Sequence, residues 1–457
     1  MEDTIAAISS AVTAAGIGII RISGTDALEV AGRVYRSKGG KKDIRNVDSH
    51  TIHYGFIYDG KELVDEVLVM VMRGPRTFTG EDTVEIDCHG GVYAMRRVLE
   101  TVLKNGARIA EPGEFTKRAF LNGRLDLSQA EAVMDVIQAQ NSYALKSSVE
   151  QLRGSVRNAI KEIRSQLIYH IAYIESALDD PEHISLDGYS QELADVVDNE
   201  VFSVEKLLKS ASDGKVISEG IRTVIVGKPN AGKSSLLNAL LGENRAIVTD
   251  IAGTTRDILE ESINLGSVTL KVVDTAGIRH TEDIVEKIGV NRAREKAEDA
   301  DLILYVVDSS RPLDENDDEI ISLISDKKSI VLYNKSDLEP VVSVYELEEL
   351  TGKKVFAVSA VEETGIEEFT DEIQRMFFSG EINFNDEVYI TNVRHKNLLE
   401  EAYKSLLMVK RSIEDGMPED FFSIDLMDAY ESLGKIIGES VEEDLVNEIF
   451  SKFCMGK

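Results

Sequence analysis

Cysteine is scarce in this chain. There are two, Cys88 and Cys454, far apart in 457 residues. No disulfide framework can be built from them, and a reducing compartment is implied. The seven prolines do not cluster, so no Pro-rich linker marks a boundary. No apolar run is long enough to span a bilayer. The first residues, Met1-Glu2-Asp3-Thr4, are acidic where a signal peptide needs a basic region. A cytoplasmic protein without membrane contact is expected. Positive charge is also short, with 51 Lys/Arg against 82 Asp/Glu and a net charge of −31. For the chain as a whole this argues against non-specific nucleic-acid binding, which depends on a basic surface. The deficit is uneven. Residues 1–121 carry 16 basic and 17 acidic side chains, and the rest carry 35 and 65. An RNA or anionic ligand is therefore least disfavoured at the N-terminal third. Elsewhere the acidic excess reads as solvated surface.

A hydrophobic content of 43% over this length allows two to four domains with real cores. Residues 1–121 mix strand and helix signals. Residues 18–24 read as a buried strand, 51–58 and 63–72 as a hairpin turning at Asp59-Gly60, and 83–88 as a further strand. Residues 92–105 read as a helix that Gly106 can cap. From Asn122 the pattern turns helical. One helix is expected over 128–149 with Ser128 and Glu131 as a capping box, and others over 152–178 and 191–210. Helical spacing returns at 393–411 and 425–453, with an interruption near 434–438. Between them lies an α/β stretch, so a helical region split by an α/β insert is the simplest account.

The insert opens on Gly227-Lys228-Pro229-Asn230-Ala231-Gly232-Lys233-Ser234. A β-branched run, 221–226, precedes it, and a helix opening at Ser235 follows. Strand, glycine loop and helix make the setting of a phosphate-binding loop. Its backbone N–H groups and the helix N-terminus suit a polyphosphate. Lys233 is expected to reach the β- and γ-phosphates and the Ser234 hydroxyl to ligate Mg²⁺. Further motifs follow in order. Asp274-Thr275-Ala276-Gly277 ends a strand and offers a Mg²⁺-side carboxylate and a γ-phosphate N–H. Asn334-Lys335-Ser336-Asp337 ends another, and its Asp can accept both N–H groups of a guanine edge. Ser359-Ala360 forms the last base loop, with Val361 where a basic residue is common. The first switch is Ala246-Ile247-Val248-Thr249-Asp250-Ile251-Ala252-Gly253-Thr254-Thr255-Arg256-Asp257, with Thr255 as Mg²⁺ and γ-phosphate sensor. Ile278 follows the Asp274 motif, where many small GTPases place a water-orienting Gln.

Taken with motifs outside the insert, the chain resembles the MnmE/TrmE family of tRNA modification GTPases over essentially its whole length. The resemblance rests on Asp3-Thr4-Ile5-Ala6, residues 18–24, Thr79-Gly80-Glu81-Asp82, His89-Gly90-Gly91, residues 111–122, 125–132 and 249–257, and the ending Cys454-Met455-Gly456-Lys457. It implies a multidomain α/β fold. Residues 1–121 would be an N-terminal α+β domain that binds folate and dimerises. Residues 122–217 and 381–457 would form a discontinuous α-helical domain. Residues 218–380 would be an inserted Ras-like P-loop G domain with a mainly parallel sheet.

The resemblance also implies a K⁺-stimulated GTPase. With a flavoprotein partner, MnmG (GidA), it would modify C5 of the wobble uridine of certain tRNAs, using the one-carbon unit of 5-formyl-tetrahydrofolate or a related folate. By position, Asn230, Thr249, Ile251 and Thr254 would hold K⁺, and Glu286 would orient water. Arg21, Glu85, Arg124 and Lys457 would contact folate. Cys454 is a family position whose thiol could be lowered in pKa by the lysines at 452 and 457, or could be structural. The family's Pro- and Gly-rich loop is replaced here by Ser9-Ser10-Ala11-Val12-Thr13-Ala14-Ala15-Gly16. A ribosome-assembly or regulatory GTPase acting as a binding switch would share the G motifs. It would not need Arg21 with Glu85 or the C-terminal Cys-x-Gly-Lys.

Overall fold

Alternation sets the first sheet. Val67, Val69 and Val71 are buried and Leu68 between them is exposed, as one covered face requires. The computed structural model describes residues 3–244, 261–265, 268–273, 300–362, 364–377, 388–439, 441, 443–454 and 456. The chain divides into two units. One comprises Met1–Ile137, Val149–Ser203 and Leu398–Lys457, and the other Gln138–Ser148 and Val204–Asn397. Among the described residues no helix is long and apolar enough to cross a membrane.

The first unit contains β1 (Ile5–Ile8), β2 (Ile17–Ser23), β3 (Tyr35–Ser37), β4 (Thr51–Asp59), β5 (Glu62–Met72), β6 (Thr83–His89) and β7 (Arg108–Ile109). They form one seven-stranded sheet in the order β3-β4-β5-β6-β2-β1-β7. Pairing is antiparallel except between β1 and β7. The β4–β5 hairpin turns on Gly60, whose φ of 63° favours glycine. Helices Ala27–Val34 and Val92–Lys104 supply Val30, Val34, Met95, Val98 and Val102 to the core under one sheet face. This is the expected α+β domain.

The helical segments depart from expectation in three places. The single helix over 128–149 is two, Leu127–Gln138 and Ser142–Leu152. The side chain of Asn141 accepts from the N–H of Ala144 at 2.7 Å and so starts the second. The capping box lies two residues earlier than Ser128 and Glu131. Asp126 accepts from the N–H of Gln129 at 3.0 Å, and the Gln129 side chain accepts from the N–H of Asp126 at 3.1 Å. Ser128 instead donates its hydroxyl to Asp126. Lastly, Gly434 lies inside the helix Glu419–Ile437, and Gly438, at φ 88°, ends it.

The second unit carries β8 (Ile221–Val226), β9 (Glu261–Leu265), β10 (Val268–Val272), β11 (Leu302–Asp308), β12 (Ser329–Asn334) and β13 (Val355–Ala357). Their order is β13-β12-β11-β8-β10-β9, parallel except for β9 on β10. This is a Ras-like arrangement. Every residue of β11 and β12 is buried, as expected of parallel strands covered on both faces. The loops after β8, β11, β12 and β13 leave from one edge of the sheet, where such folds bind ligands.

Candidate nucleotide-binding site

The loop after β8 keeps its shape through three positive-φ residues, Gly227 (149°), Asn230 (62°) and Gly232 (96°). A Cβ on Gly227 would lie 2.3 Å from the Val306 carbonyl of β11, and one on Gly232 would lie 2.1 Å from Asn334 Nδ2. Both positions therefore demand glycine. Lys233 opens the helix Lys233–Asn244. Its ammonium donates to the carbonyls of Gly227 (2.6 Å) and Lys228 (2.7 Å). Burial holds its pKa below the usual lysine range.

The loops after β12 and β13 converge on this one. Asn334, at the end of β12, donates from Nδ2 to the Ala231 carbonyl at 2.8 Å and accepts from the Ala360 N–H at 3.2 Å. It thus ties the loop after β13 to the phosphate loop. Lys335, at φ 62°, donates to the Asn230 carbonyl at 2.9 Å. The Ser359 hydroxyl donates to Asp337 Oδ1 at 2.7 Å, which fixes the carboxylate expected to read guanine. Val361 is exposed. Ser234 and Ser235 lie in the first turn of the loop helix. Thr249, Asp250, Ile251, Ala252, Gly253, Thr254, Thr255, Asp274, Thr275, Ala276, Gly277, Ile278 and Glu286 lie outside the described residues.

A second cluster forms in the first unit. Arg21 of β2 stands opposite Glu85 of β6, and its Nε donates to Glu85 Oε1 at 2.7 Å. The guanidinium lies 5.8 Å from the Phe78 ring centre and 5.6 Å from that of Phe115. Arg124 lies 5.0 Å from the same Phe78 ring. The C-terminal tail closes on this cluster. The Gly456 carbonyl accepts from the Ser9 hydroxyl at 3.0 Å and from Arg21 at 3.4 Å. Lys457 itself lies outside the described residues. Cys454 packs beside Phe450 and Phe453, while Lys452 pairs with Glu448 at 3.1 Å. The replaced loop is anchored as well. Ser10 accepts from the Ile19 N–H, and the Ala15 N–H donates to Gly90.

Comparison with known proteins covers both regions of the chain. The family model for the GTP-binding protein TrmE N-terminus matches residues 4–124, and that for the MnmE helical domain matches residues 127–454. A tRNA modification GTPase MnmE from Lachnoclostridium phytofermentans is 57% identical over 455 residues, covering 100% of this chain and 99% of that protein. The chain belongs to the MnmE family of tRNA modification GTPases. Proteins of the same name from Acetivibrio thermocellus (49% over 463 residues, 100% and 99% covered) and Clostridioides difficile (48% over 458 residues, 100% and 100%) also match. The G domain of the T. maritima iron transporter FeoB is 27% identical over 34% of this chain and 97% of its own, with a TM-score of 0.27, too low to carry structural argument.

Some MnmE motifs are framework in this chain. Arg118, with its side chain fully buried, is bonded to Asp3, Glu81 and Glu114. Asn122 donates to the Thr79 carbonyl at 2.7 Å. Sequence reasoning missed three groups beside the proposed sites. Phe78 is the ring between Arg21 and Arg124. Lys228, inside the phosphate loop, pairs with Asp317 at 2.6 Å and Asp314 at 3.1 Å. These carboxylates hold its pKa above the usual range against the opposing effect of burial. Asp308, at the end of β11, pairs with Lys335 at 2.6 Å. The acidic run Asp314-Glu315-Asn316-Asp317 signals a helix cap, but nothing local in the sequence assigns it to Lys228.

Proposed function

We propose that this chain is a K⁺-stimulated GTPase that, with a flavoprotein partner of the MnmG kind, modifies C5 of the wobble uridine of certain tRNAs in the cytoplasm. The added group would be aminomethyl or carboxymethylaminomethyl, with its one-carbon unit from 5-formyl-tetrahydrofolate or a related folate. The observation that carries the GTP half is the junction of Asn334 and Lys335 with the Ala231 and Asn230 carbonyls. A loop chemically suited to guanine is thereby locked to a loop suited to phosphates. Mg²⁺ would be held by Ser234 and Thr255 and would offset charge on the β- and γ-phosphates. K⁺ would be held by Asn230, Thr249, Ile251 and Thr254 and would add positive charge where the transition state needs it. Asn230 fits this role in that its side chain is exposed. Lys233 binds the phosphates, and Glu286 would orient the attacking water.

The folate half is supported by the Arg21–Glu85 pair, with Arg21 near two phenylalanine rings and Arg124 near one of them. Glu85 can accept N–H bonds from a pterin ring, and the arginines suit a glutamate tail or a formyl oxygen. Pairing of two copies through the N-terminal domain belongs to the same reading.

GTP hydrolysis by the full chain is expected to be faster in KCl than in NaCl of equal strength; equal rates would remove the ion site. Glu286→Ala should keep GTP affinity and lose turnover, and an unchanged kcat would remove Glu286. Nucleoside analysis of tRNA from a deletion strain should show the wobble modification missing and restored with the gene. Unaltered tRNA would favour a purely regulatory GTPase.

A further inference from the structure

A net charge of −31 is a poor starting point for gripping tRNA, because backbone affinity comes from Lys and Arg displacing counterions at phosphates. Residues 33–45 run against that balance. They hold Arg33, Arg36, Lys38, Lys41, Lys42 and Arg45, and a single acid, Asp43. The fold gathers them at one corner of the seven-stranded sheet. Arg36 stands on edge strand β3, opposite Phe56 of β4. Lys38 Nζ lies 5.1 Å from the ring centre of the exposed Tyr54, two residues along the same strand face. The N–H groups of Gly39 and Gly40 donate to the Ser37 carbonyl, and that of Lys42 to the Ser37 hydroxyl, which closes the turn. Lys42 stays near His53, whose pKa is lowered by burial and then by this lysine. From the end of β5, Arg73 donates to the Arg45 carbonyl at 2.7 Å, and the Arg76 carbonyl meets His50 at 3.1 Å.

These cations differ in availability. Arg45 is taken up by Asp43 and Glu29, and Arg33 donates to the Asn105 carbonyl. Arg36, Lys38, Lys41, Lys42 and Arg76 are exposed, and among the described residues none of them pairs with an acid.

We propose that this corner is where the chain holds the phosphate backbone of tRNA, with Lys38, Lys41 and Lys42 at its centre and Arg36, Arg76 and Tyr54 beside them. The proposal rests on the reading that the chain acts on tRNA. The corner lies four strands from Arg21, about 19 Å at ordinary strand spacing. That separation suits contacts that position a nucleic acid without touching the reacting base. A duller role for the same residues is to guard the β3 edge from pairing with other sheets. The two roles differ in sign. An edge guard needs charge of either sign, and phosphate needs positive charge.

The full-length chain and its Lys38→Glu/Lys41→Glu/Lys42→Glu variant should be compared for tRNA affinity by fluorescence anisotropy across a salt series. GDP affinity and the thermal midpoint serve as folding controls. Wild-type affinity should fall steeply with salt. The variant should bind roughly tenfold or more weakly near 0.1 M salt, with a salt slope smaller by about 2. The Gln triple variant should fall between them. Unchanged affinity and slope in the Glu variant, with wild type binding normally, would overturn the surface and leave the tRNA reading standing. Wild type that neither binds nor modifies tRNA would overturn both. Self-association of the Gln variant with undiminished tRNA affinity would assign the residues to edge protection and overturn the proposal.

Discussion

Asp308 is the residue whose contribution exceeds its visibility in the sequence. It is 4% exposed, accepts from the N–H and hydroxyl of Ser310, and holds Lys335 at 2.6 Å. Burial raises its pKa, but the bonds from Lys335 and Ser310 outweigh that and keep it below the usual carboxylate range. Lys335 in turn reaches the Asn230 carbonyl, so one carboxylate sets the lysine that joins the base loop to the phosphate loop. Asp308→Asn keeps the shape and removes the charge. A charge-assisted bond of this kind is worth about 1.5–3 kcal/mol, so GDP affinity should fall roughly 10- to 100-fold. In a Lys335→Met background the same change should do little, because its partner is gone. Equal losses in both backgrounds, measured by titration calorimetry, would mean that Asp308 acts through the general fold. Asn334, Asp337 and Ser359 could be read from the sequence because they lie within short motifs. Asp308 could not, because its partner is 27 residues away and only strand pairing brings them together.

Elements show the same limit in their packing. The helix Ser155–Asp179 is legible from spacing, but Glu419–Ile437 is legible only in part, because spacing puts a break at Gly434 and does not show why that glycine sits inside the helix. Arg164 projects from the first. It donates to the Tyr430 carbonyl at 3.1 Å, pairs with Glu439, and lies 3.9 Å from the Tyr430 ring centre. A Cβ on Gly434 would meet its guanidinium at 2.9–3.0 Å. Gly434→Ala should therefore destabilise by about 1 kcal/mol even though alanine favours helix. In an Arg164→Ala background it should stabilise by about 1 kcal/mol, the intrinsic helix preference. A denaturant titration checks the change of sign.

The same unit holds Glu200, whose pKa is pushed up to about 7 by burial and then by Glu162. Its folded value lies above its unfolded value. Its favourable contribution is thus full below about pH 4.3 and is lost as the pH rises through 7. Glu200→Gln should stabilise the unit by about 3 kcal/mol at pH 8 and by only about 1 kcal/mol at pH 5. An equal effect at both values would show that Glu200 is not the titrating group.

At the scale of the whole molecule, the feature that a linear reading cannot supply is the meeting of the chain's two ends. Cys454-x-Gly456 could be matched to a family by its letters, but its physical demand appears only against β1. Gly456 has φ 83°, and a Cβ there would lie 2.3 Å from the Ile8 carbonyl and 2.9 Å from Ser9 Cα. A left-handed residue with a side chain already costs about 1–2 kcal/mol, and the contact with backbone cannot be relieved by a rotamer change. Upstream, the Gly113 N–H donates to the Cys454 carbonyl, and a Cβ on Gly113 would meet the Phe450 carbonyl at 2.5 Å. The tail is thus seated by glycines from both sides and delivers a carbonyl to Arg21, the arginine of the proposed folate cluster. Gly456→Val should unseat the tail and release Arg21 from one of the two acceptors it has among the described residues. In the reading proposed above, affinity for 5-formyl-tetrahydrofolate should then fall at least tenfold. GDP affinity should not change, because the nucleotide loops are held by the separate core of the six-stranded sheet around Leu236, Leu304 and Leu332. Titration of the full-length variant with each ligand decides the matter. Undiminished folate affinity would show that the tail has no part in the cluster. A parallel loss of GDP affinity would show that the ends of the chain support the whole fold.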